Sequence, residues 1–311
     1  GRNSLGANTT GTENVAVGSG ALDTNTTAGC NTSIGHGSMG DNTEGPNNVA
    51  VGRSALGSNT TGASNVAIGR SSLTLNTTAT GNTATGAFAL DKNTTGANNV
   101  GLGWQALTAN TTSSNNTAVG ALALLANTTG AHNTAVGCGA LTSNTTSGEN
   151  VAVGFGALAA QTTGAPNNAF GNQTLCKLTT GSNNVGLGFR AMCDLTTGTQ
   201  NVMVGNQTGQ GITTGSENTG VGHNTMNSTI TGQGNHAFGY SNMTALTSGS
   251  TNLSLGNSSS PQLTTGSNNV TAGASAGISL TTGSNNLLLG HDAGRTGSPG
   301  GIVTTGSNRI A

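Results

Sequence analysis

Charged side chains are scarce in this sequence. Only 5% of its 311 residues are Asp, Glu, Lys or Arg, against roughly 25% in a typical soluble protein. The formal net charge is −1, so the chain as a whole has no basic surplus that would attract nucleic acid or an anionic membrane. A surface with few charges also protects poorly against self-association. The composition therefore predicts no nucleic-acid partner, and it predicts either a protein that associates with itself or one that something other than charge keeps solvated.

Large apolar side chains are also few. Aromatic residues make up 2% of the chain, so a thick globular core cannot form. No run of 18 apolar residues occurs, which predicts that the chain has no membrane span. The sequence opens on Gly1 with neither an initiator Met nor a signal peptide, and we expect a processed or excerpted segment.

The groups that usually carry catalysis or bind metals do not form a set. The five histidines occupy three different positions of the repeat described below, and the nine acidic residues never pair at a site. These patterns predict no metal, no cofactor and no enzymatic activity. The histidines are His36, His132, His223, His236 and His291.

What the sequence does contain is a 17-residue repeat. Each unit reads Gly-x-x-Ala/Ser-Leu-x-x-Asn/Leu-Thr-Thr-Gly-x-x-Asn-Val/Thr-Ala-Val/Ile, and its first glycine recurs every 17 residues from Gly1 to Gly290. A fixed short period indicates one structural unit stacked many times. Disorder is the alternative that the Gly, Asn, Thr and Ser content favours, but a disordered chain has no reason to keep its apolar residues in phase.

The repeat predicts an all-β fold, namely a parallel β-solenoid. Seventeen residues are too few for two helices, and short β-branched runs bounded by glycine favour strands. We expect about 17 to 18 coils forming a single elongated rod without caps. At a spacing of about 4.8 Å per coil the rod would be roughly 85 Å long.

The positions of apolar residues predict which side chains face inward. The residue before the repeat glycine is almost always apolar, as in Val17 and Ile34, and the residue four after it is Leu or Met, as in Leu22. We assign both positions to the core. The small residue between the two strand valines, such as Ala16, would then lie on the outer face because side chains alternate along a strand.

An asparagine four residues before each glycine predicts a ladder of stacked, hydrogen-bonded amides. The alternative for this position is a sugar-binding or metal-binding role. The ladder comprises Asn14, Asn31, Asn48, Asn65, Asn82, Asn99, Asn116, Asn133, Asn150, Asn167, Asn184, Asn201, Asn218, Asn235, Asn252, Asn269 and Asn286.

A change near residue 160 divides the otherwise continuous solenoid of residues 1–311. In residues 1–160 the residue before Thr-Thr is Asn, whereas in 161–311 it becomes Leu or Ile. One apolar position is lost as another appears, so we expect a changed coil cross-section and no second domain. The last coil is predicted to carry five extra residues, as a loop near 295–301.

The two ends of the chain suggest a joint between copies. Asn308, Arg309, Ile310 and Ala311 followed by Gly1 and Arg2 would restore the repeat in phase. An open terminal coil is an unpaired strand edge. The pattern therefore predicts head-to-tail stacking into a filament, or tandem copies within a longer chain.

Glycosylation sequons are abundant, although an Asn/Thr-rich repeat produces many by composition alone. The asparagine of these sequons shares its position with the later leucines, so it could instead be buried, leaving the neighbouring threonine as the attachment point. The asparagine candidates are Asn8, Asn25, Asn59, Asn76, Asn93, Asn110, Asn127 and Asn144, with further sequons at Asn172, Asn206, Asn227, Asn242, Asn257 and Asn269. The threonine candidates are Thr9, Thr26, Thr60, Thr77 and Thr94.

Two of the four cysteines, Cys176 and Cys193, share a position one repeat apart. Stacked neighbours lie within disulfide range, and a bridge would fit an extracellular setting. Two unrelated thiols are the alternative.

The Asn-Val-Ala-Val/Ile-Gly element, as in Asn14–Gly18, Asn48–Gly52, Asn65–Gly69 and Asn150–Gly154, resembles the head repeats of trimeric autotransporter adhesins. That resemblance implies a left-handed parallel β-roll and a trimer. The longer Asn-Thr-Thr-Gly-x-x-Asn-x-Ala-x-Gly string resembles repeats of tail-fibre-like surface proteins and of subunits of glycan-coated extracellular fibrils. The resemblance is to a style of repeat and implies no functional residues.

These observations lead to one expected function and two alternatives. We expect a structural subunit of an extracellular or surface fibril, assembled head to tail from copies of itself and carrying covalent glycans. The first alternative is a trimeric adhesin head or tail-fibre module that binds a surface glycan. The second is an ice-binding solenoid, which the adjacent placement of the two threonines disfavours.

Overall fold

The computed structural model describes residues 1–295 and 301–311. Contacts between residues divide the chain into two compact units, Gly1–Phe155 and Gly156–Ala311. The boundary lies close to the predicted change at residue 160. The predicted loop near 295–301 falls largely on residues 296–300, outside the described residues.

The first unit contains nine short strands that lie one repeat apart. Each strand pairs in parallel with the next, and every pair is in a register of 17 residues, as in Val49 with Val66. The strands are β1 (Val15–Val17), β2 (Thr32–Ile34), β3 (Val49–Val51), β4 (Val66–Ile68), β5 (Thr83–Thr85), β6 (Val100–Leu102), β7 (Thr117–Val119), β8 (Thr134–Val136) and β9 (Val151–Val153).

The second unit contains eight further strands with the same parallel pairing, as in Val185 with Val202. They are β10 (Asn167–Phe170), β11 (Asn184–Leu187), β12 (Val202–Val204), β13 (Thr219–Val221), β14 (His236–Phe238), β15 (Leu253–Leu255), β16 (Val270–Ala272) and β17 (Leu287–Leu289). The prediction of an all-β parallel β-solenoid is confirmed. Within the described ranges, no helix is long and apolar enough to cross a membrane.

The repeat glycine makes the corner that follows each strand. Gly52 has a φ of +137°, and a Cβ added there would lie 2.5 Å from the carbonyl oxygen of Gly69 in the next coil. An L-residue is strained at this φ, and the close approach of the next coil leaves no room for a side chain. Only glycine therefore fits at this corner of each coil, which explains why it recurs once in every 17 residues.

The leucine four residues after the glycine fills the interior, as predicted. Leu22, Leu56 and Leu73 have no exposed surface. Each of them has a φ between +51° and +54°, which costs roughly 1–2 kcal/mol for a residue with a Cβ. Full burial of a leucine side chain stabilises by about 1.5–3 kcal/mol and offsets that cost.

The predicted orientation of the strands is wrong. The middle residue of the strand points inward, and Ala50, Ala67 and Ala84 are fully buried. The residue before the glycine points outward, with Val17 56% and Ile34 39% exposed. The reason is volume: the leucine already occupies the interior, so only a small side chain fits opposite it. At Gly101, for example, an added Cβ would lie 3.4 Å from Leu90.

Candidate functional site

The outward face of the strands is the candidate functional surface. We define the strand face as the first and last residues of β1–β9 in the first unit and of β12–β17 in the second unit, together with Asn168, Phe170, Val185 and Leu187. In the first unit these side chains are only Val, Thr, Ile and Leu, and in the second unit none is Asp, Glu, Lys or Arg. The most exposed apolar members are Val15, Val17, Ile34, Ile68, Val136, Phe170, Leu187, Val202, Phe238, Leu255 and Leu289.

An uncovered apolar face is unusual for a parallel sheet. Parallel strands are almost always covered on both faces, and their outer side chains are then apolar on both sides. Large contiguous apolar patches on a soluble protein mark an interaction surface. The strand face of each unit has the composition of a covered face, and among the described residues Val17 and Leu289 are each more than half exposed.

The Asn14-series asparagines lie inside the coils and bond to the backbone of their neighbours. The backbone amide of Asn48 donates to Oδ1 of Asn31 at 2.9 Å, and Nδ2 of Asn48 donates to the carbonyl of Gly62 at 2.9 Å. The second unit repeats the arrangement, as in Asn201 on Asn184 at 3.0 Å. The amide oxygen thus accepts a backbone N–H rather than only the next side chain. The buried amides are held by neighbouring coils and lie away from solvent.

The sequon asparagines form a second interior ladder in the first unit. Nδ2 of Asn59 donates to Oδ1 of Asn42 at 2.7 Å and to the carbonyl of Gly62 at 2.9 Å. Asn25, Asn59, Asn76, Asn93, Asn110, Asn127 and Asn144 are fully buried, and Asn8 is half-buried. A buried, hydrogen-bonded amide has no space for a glycan in the folded chain.

The hydroxyl of the first threonine of each pair is also hydrogen-bonded within the protein. The hydroxyls of Thr26, Thr60 and Thr77 each donate to the carbonyl of the equivalent threonine in the next coil, at 3.1, 3.1 and 3.2 Å. Thr9 and Thr94 do the same at 2.8 and 3.0 Å. The second threonine of each pair is the exposed one, as at Thr27, Thr61 and Thr78. The prediction chose the first threonine because it assumed that side chains alternate as in a strand, whereas this segment is not a strand.

Among the sequons, three of those in the second unit are exposed. Asn172, Asn206 and Asn257 directly follow the repeat glycines Gly171, Gly205 and Gly256, and each lies at the surface. Their place directly after the repeat glycine is the feature of the sequence that distinguishes these three asparagines from the buried sequon asparagines before Thr-Thr.

Cys176 and Cys193 form a disulfide across adjacent coils, with Cα atoms 5.0 Å apart. Cys30 and Cys138 are free and exposed. The Sγ of Cys30 lies 3.3 Å from a carboxylate oxygen of Glu13, and this hydrogen bond raises the pKa of the Cys30 thiol. An exposed thiol with a raised pKa is a weak nucleophile.

The predicted joint is out of phase by one residue. Arg309, and not Asn308, occupies the ladder position, because its backbone amide donates to Oδ1 of Asn286 at 3.0 Å across 23 residues. Ile310 pairs with Leu287 in the same register. Because 23 − 17 = 6, the last coil has six extra residues instead of five, and joining Ala311 to Gly1 would leave out the residue that precedes the glycine.

The described residues contain no group of three His, Cys, Asp or Glu side chains that could hold a metal ion. Comparison with models of known protein families gives no match, and comparison with curated proteins gives none either.

Proposed function

We propose that this chain is a structural subunit of an extracellular fibrous assembly in which copies of the chain pack against one another through the strand face. The observation that carries the proposal is that the strand face consists mainly of apolar side chains and threonine and lacks Asp, Glu, Lys and Arg in both units. Covering such a face removes apolar surface from water at about 25 cal/mol per Å². A second copy is a suitable cover because it presents an equally regular face with the same step between coils.

End-to-end stacking is the second part of the proposal. Within each unit every coil binds the next through the same parallel backbone pairing, as in Val66 with Thr83 and Val100 with Thr117. A further coil of the same pattern would continue that pairing. Stacking of copies would then lengthen the assembly, and packing through the strand face would thicken it.

A glycan coat is the third part. We place carbohydrate on the exposed second threonines, such as Thr27 and Thr61, and on Asn172, Asn206 and Asn257, because these side chains reach solvent. Sugar at these positions would keep a sparsely charged surface hydrated. Mass spectrometry of the protein from its natural source tests this part, and hexose on Asn59 or Asn76 without any on the exposed positions would contradict it.

The experiment for the assembly compares two triple variants of equal charge. Ile34→Lys, Ile68→Lys and Val136→Lys place charges on the strand face, whereas Thr27→Lys, Thr61→Lys and Thr129→Lys place the same charges on the exposed threonines. We expect the first variant to lose assembly in light scattering and electron microscopy and the second to keep it. Equal assembly by both variants would rule out the strand face as the contact.

A discrete trimer, as in an adhesin head or tail-fibre module, is the second candidate. The strand face favours it too, since three copies could cover their strand faces around one axis. Light scattering separates the two: a mass of three chains that does not grow with concentration supports the trimer, and growing fibres support the fibril.

A further inference from the structure

A row of exposed side chains, three of them arginines, lies directly after the repeat glycines in the first coils of the chain. The row consists of Arg2, Ser19, His36, Arg53 and Arg70, and every member is exposed. The unit Gly1–Phe155 has four Lys and Arg residues, and all but Lys92 belong to this row. In a chain with so little charge, this placement concentrates the unit's cations along one line.

Backbone hydrogen bonds hold the row at a constant step. The carbonyls of Arg2, His36 and Arg53 accept the backbone amides of Gly20, Ser54 and Ser71, at 2.9, 3.0 and 2.9 Å. Successive members are therefore one coil apart, about 4.8 Å in a parallel sheet. Little conformational entropy remains to be lost by the backbone when a ligand binds.

The guanidinium groups of the row have no acidic partner within their own, fully described unit. Throughout Gly1–Phe155, all of which is described, no Asp or Glu carboxylate lies within 4.0 Å of Arg2, Arg53 or Arg70; the ion pairs of the described residues all lie in the second unit. The guanidinium of Arg70 instead lies over the ring of Phe88, 5.2 Å from its centroid, a cation–π contact that restricts its orientation. The donors of the row are thus available to an anion from outside.

We propose that this basic row binds a linear anionic polysaccharide along the direction in which the coils stack. Guanidinium groups bind carboxylate and sulfate through paired hydrogen bonds. Arg53 and Arg70 are one coil apart, a step similar to the advance of one sugar ring in an extended glycan, and Arg2 lies three coils before Arg53. A single row of cations fits a single anionic chain, whereas duplex DNA presents phosphates on two strands. Sites for single-stranded nucleic acid interleave cations with stacking aromatics; here Ser19 and His36 lie between Arg2 and Arg53, and the first aromatic residue at the same position, Trp104, comes two coils after Arg70. This inference does not depend on the proposed assembly, because the row is separate from the strand face.

The test measures binding of the purified chain to alginate and dextran sulfate, with neutral dextran as the reference polymer and single-stranded DNA as competitor. We expect binding to both anionic polymers and none to dextran, with a linear decrease of log K against log salt. Absence of binding to alginate and dextran sulfate, or displacement of them by a lower mass of single-stranded DNA, would overturn the proposal.

Matched variants locate the site. Arg53→Gln and Lys92→Gln each remove one exposed charge from the same unit. We expect Arg53→Gln to lower the affinity about threefold to tenfold and to reduce the salt slope by about one, and Lys92→Gln to change the affinity less than about twofold. Arg53→Lys keeps the charge and should keep the slope while lowering affinity, which separates loss of the paired hydrogen bonds from loss of charge. Equal effects of Arg53→Gln and Lys92→Gln would show that only the net charge matters and would refute the proposal that the row is the binding site.

Discussion

The two units place different side chains at the same interior position. In Gly1–Phe155 the residue before Thr-Thr is asparagine, and its Nδ2 donates to the asparagine of the preceding coil, as in Asn76 on Asn59 at 2.9 Å. In Gly156–Ala311 the position is held by buried leucines such as Leu178 and Leu195. Both kinds of side chain pack on the glycine that follows: an added Cβ at Gly62 would lie 2.4 Å from Oδ1 of Asn59, and at Gly198 it would lie 2.7 Å from Cδ1 of Leu195.

Asparagine and leucine have the same branched outline at Cγ, so one backbone accepts either. What differs is how the buried side chain is stabilised. A buried amide must have its hydrogen bonds made by the coils above and below it, whereas a leucine needs only apolar contact. The comparison indicates that this interior position accepts either asparagine or leucine, and that the protein is most stable when neighbouring coils carry the same one of the two.

The second unit also exchanges volume between two interior positions. Where the inward leucine is replaced by Gly209 or Gly277, the middle strand residues are larger, and Met203 and Leu288 fill the space. A Cβ at Gly209 would lie 2.8 Å from Met203, and one at Gly277 would lie 3.3 Å from Leu288. The interior volume is kept while the residue that supplies it moves.

The largest expected effect tests what the two units share. Gly52→Ala and Gly256→Ala should each destabilise their own unit by on the order of 4 kcal/mol or more, because φ is +137° and +130° and the added Cβ would lie 2.5 Å from a carbonyl oxygen of the next coil. Hydrogen exchange resolved by unit would measure the loss. Gly37→Ala is the control, since its φ of +63° is open to L-residues at a cost of roughly 1–2 kcal/mol and nothing lies within 4 Å of the added Cβ; a cost as large as at Gly52 would contradict this account.

The next largest effect is expected where a buried leucine of the second unit is replaced by asparagine. Leu195→Asn should cost about 3–5 kcal/mol, because it removes buried apolar surface and leaves an amide unpaired between Leu178 and Ile212, both of which are fully buried. Chemical denaturation monitored in the second unit is the measurement. Leu195→Ala removes the apolar contacts without adding an amide and should cost less; a smaller loss for the asparagine would contradict the account.

Replacing a single asparagine of the interior ladder in the first unit by leucine should also destabilise the protein. Asn76→Leu is expected to cost about 2–3 kcal/mol, because Oδ1 of Asn59 and Nδ2 of Asn93 each lose a partner. Replacing Asn59, Asn76 and Asn93 together should cost less than three times the single change, since the interior leucines then contact one another. Strict additivity of the three losses in denaturant titrations would show that the ladder has no coupling between coils.

The smallest expected effect is again common to both units. Gln105 and Gln173 have φ values of +56° and +54°, and glycine occupies the same position at Gly37 and Gly139. Gln105→Gly and Gln173→Gly should change stability by no more than about 0.5 kcal/mol, because relief of the left-handed strain offsets the greater entropy of the unfolded chain. Thermal melts of the two variants test this, and a loss above about 1 kcal/mol in either unit would indicate that the glutamine makes contacts that matter.

Much of the fold could be predicted from the period. Gly52 and the Asn48 series recur at a constant spacing, and only stacked coils require that. The orientation of the strands could not be predicted correctly, because a three-residue strand such as Val49–Val51 gives no statistical preference for either face. Hydrophobicity favoured burying Val51, whereas the interior had room only for Ala50 beside Leu56. The exposure of Val17 and the burial of Asn59 are consequences of interior volume that no single repeat displays.

The sequence by itself determined the parallel stacking of coils, the 17-residue register and the burial of the leucines, because a strict period lets each residue meet only its own copies. The tertiary structure alone decided which strand side chains reach solvent, and which threonine and which asparagines are accessible. Those outcomes depend on the space that the other side chains leave inside the coil and on the angle of the corner at each glycine, and both are properties of the folded chain.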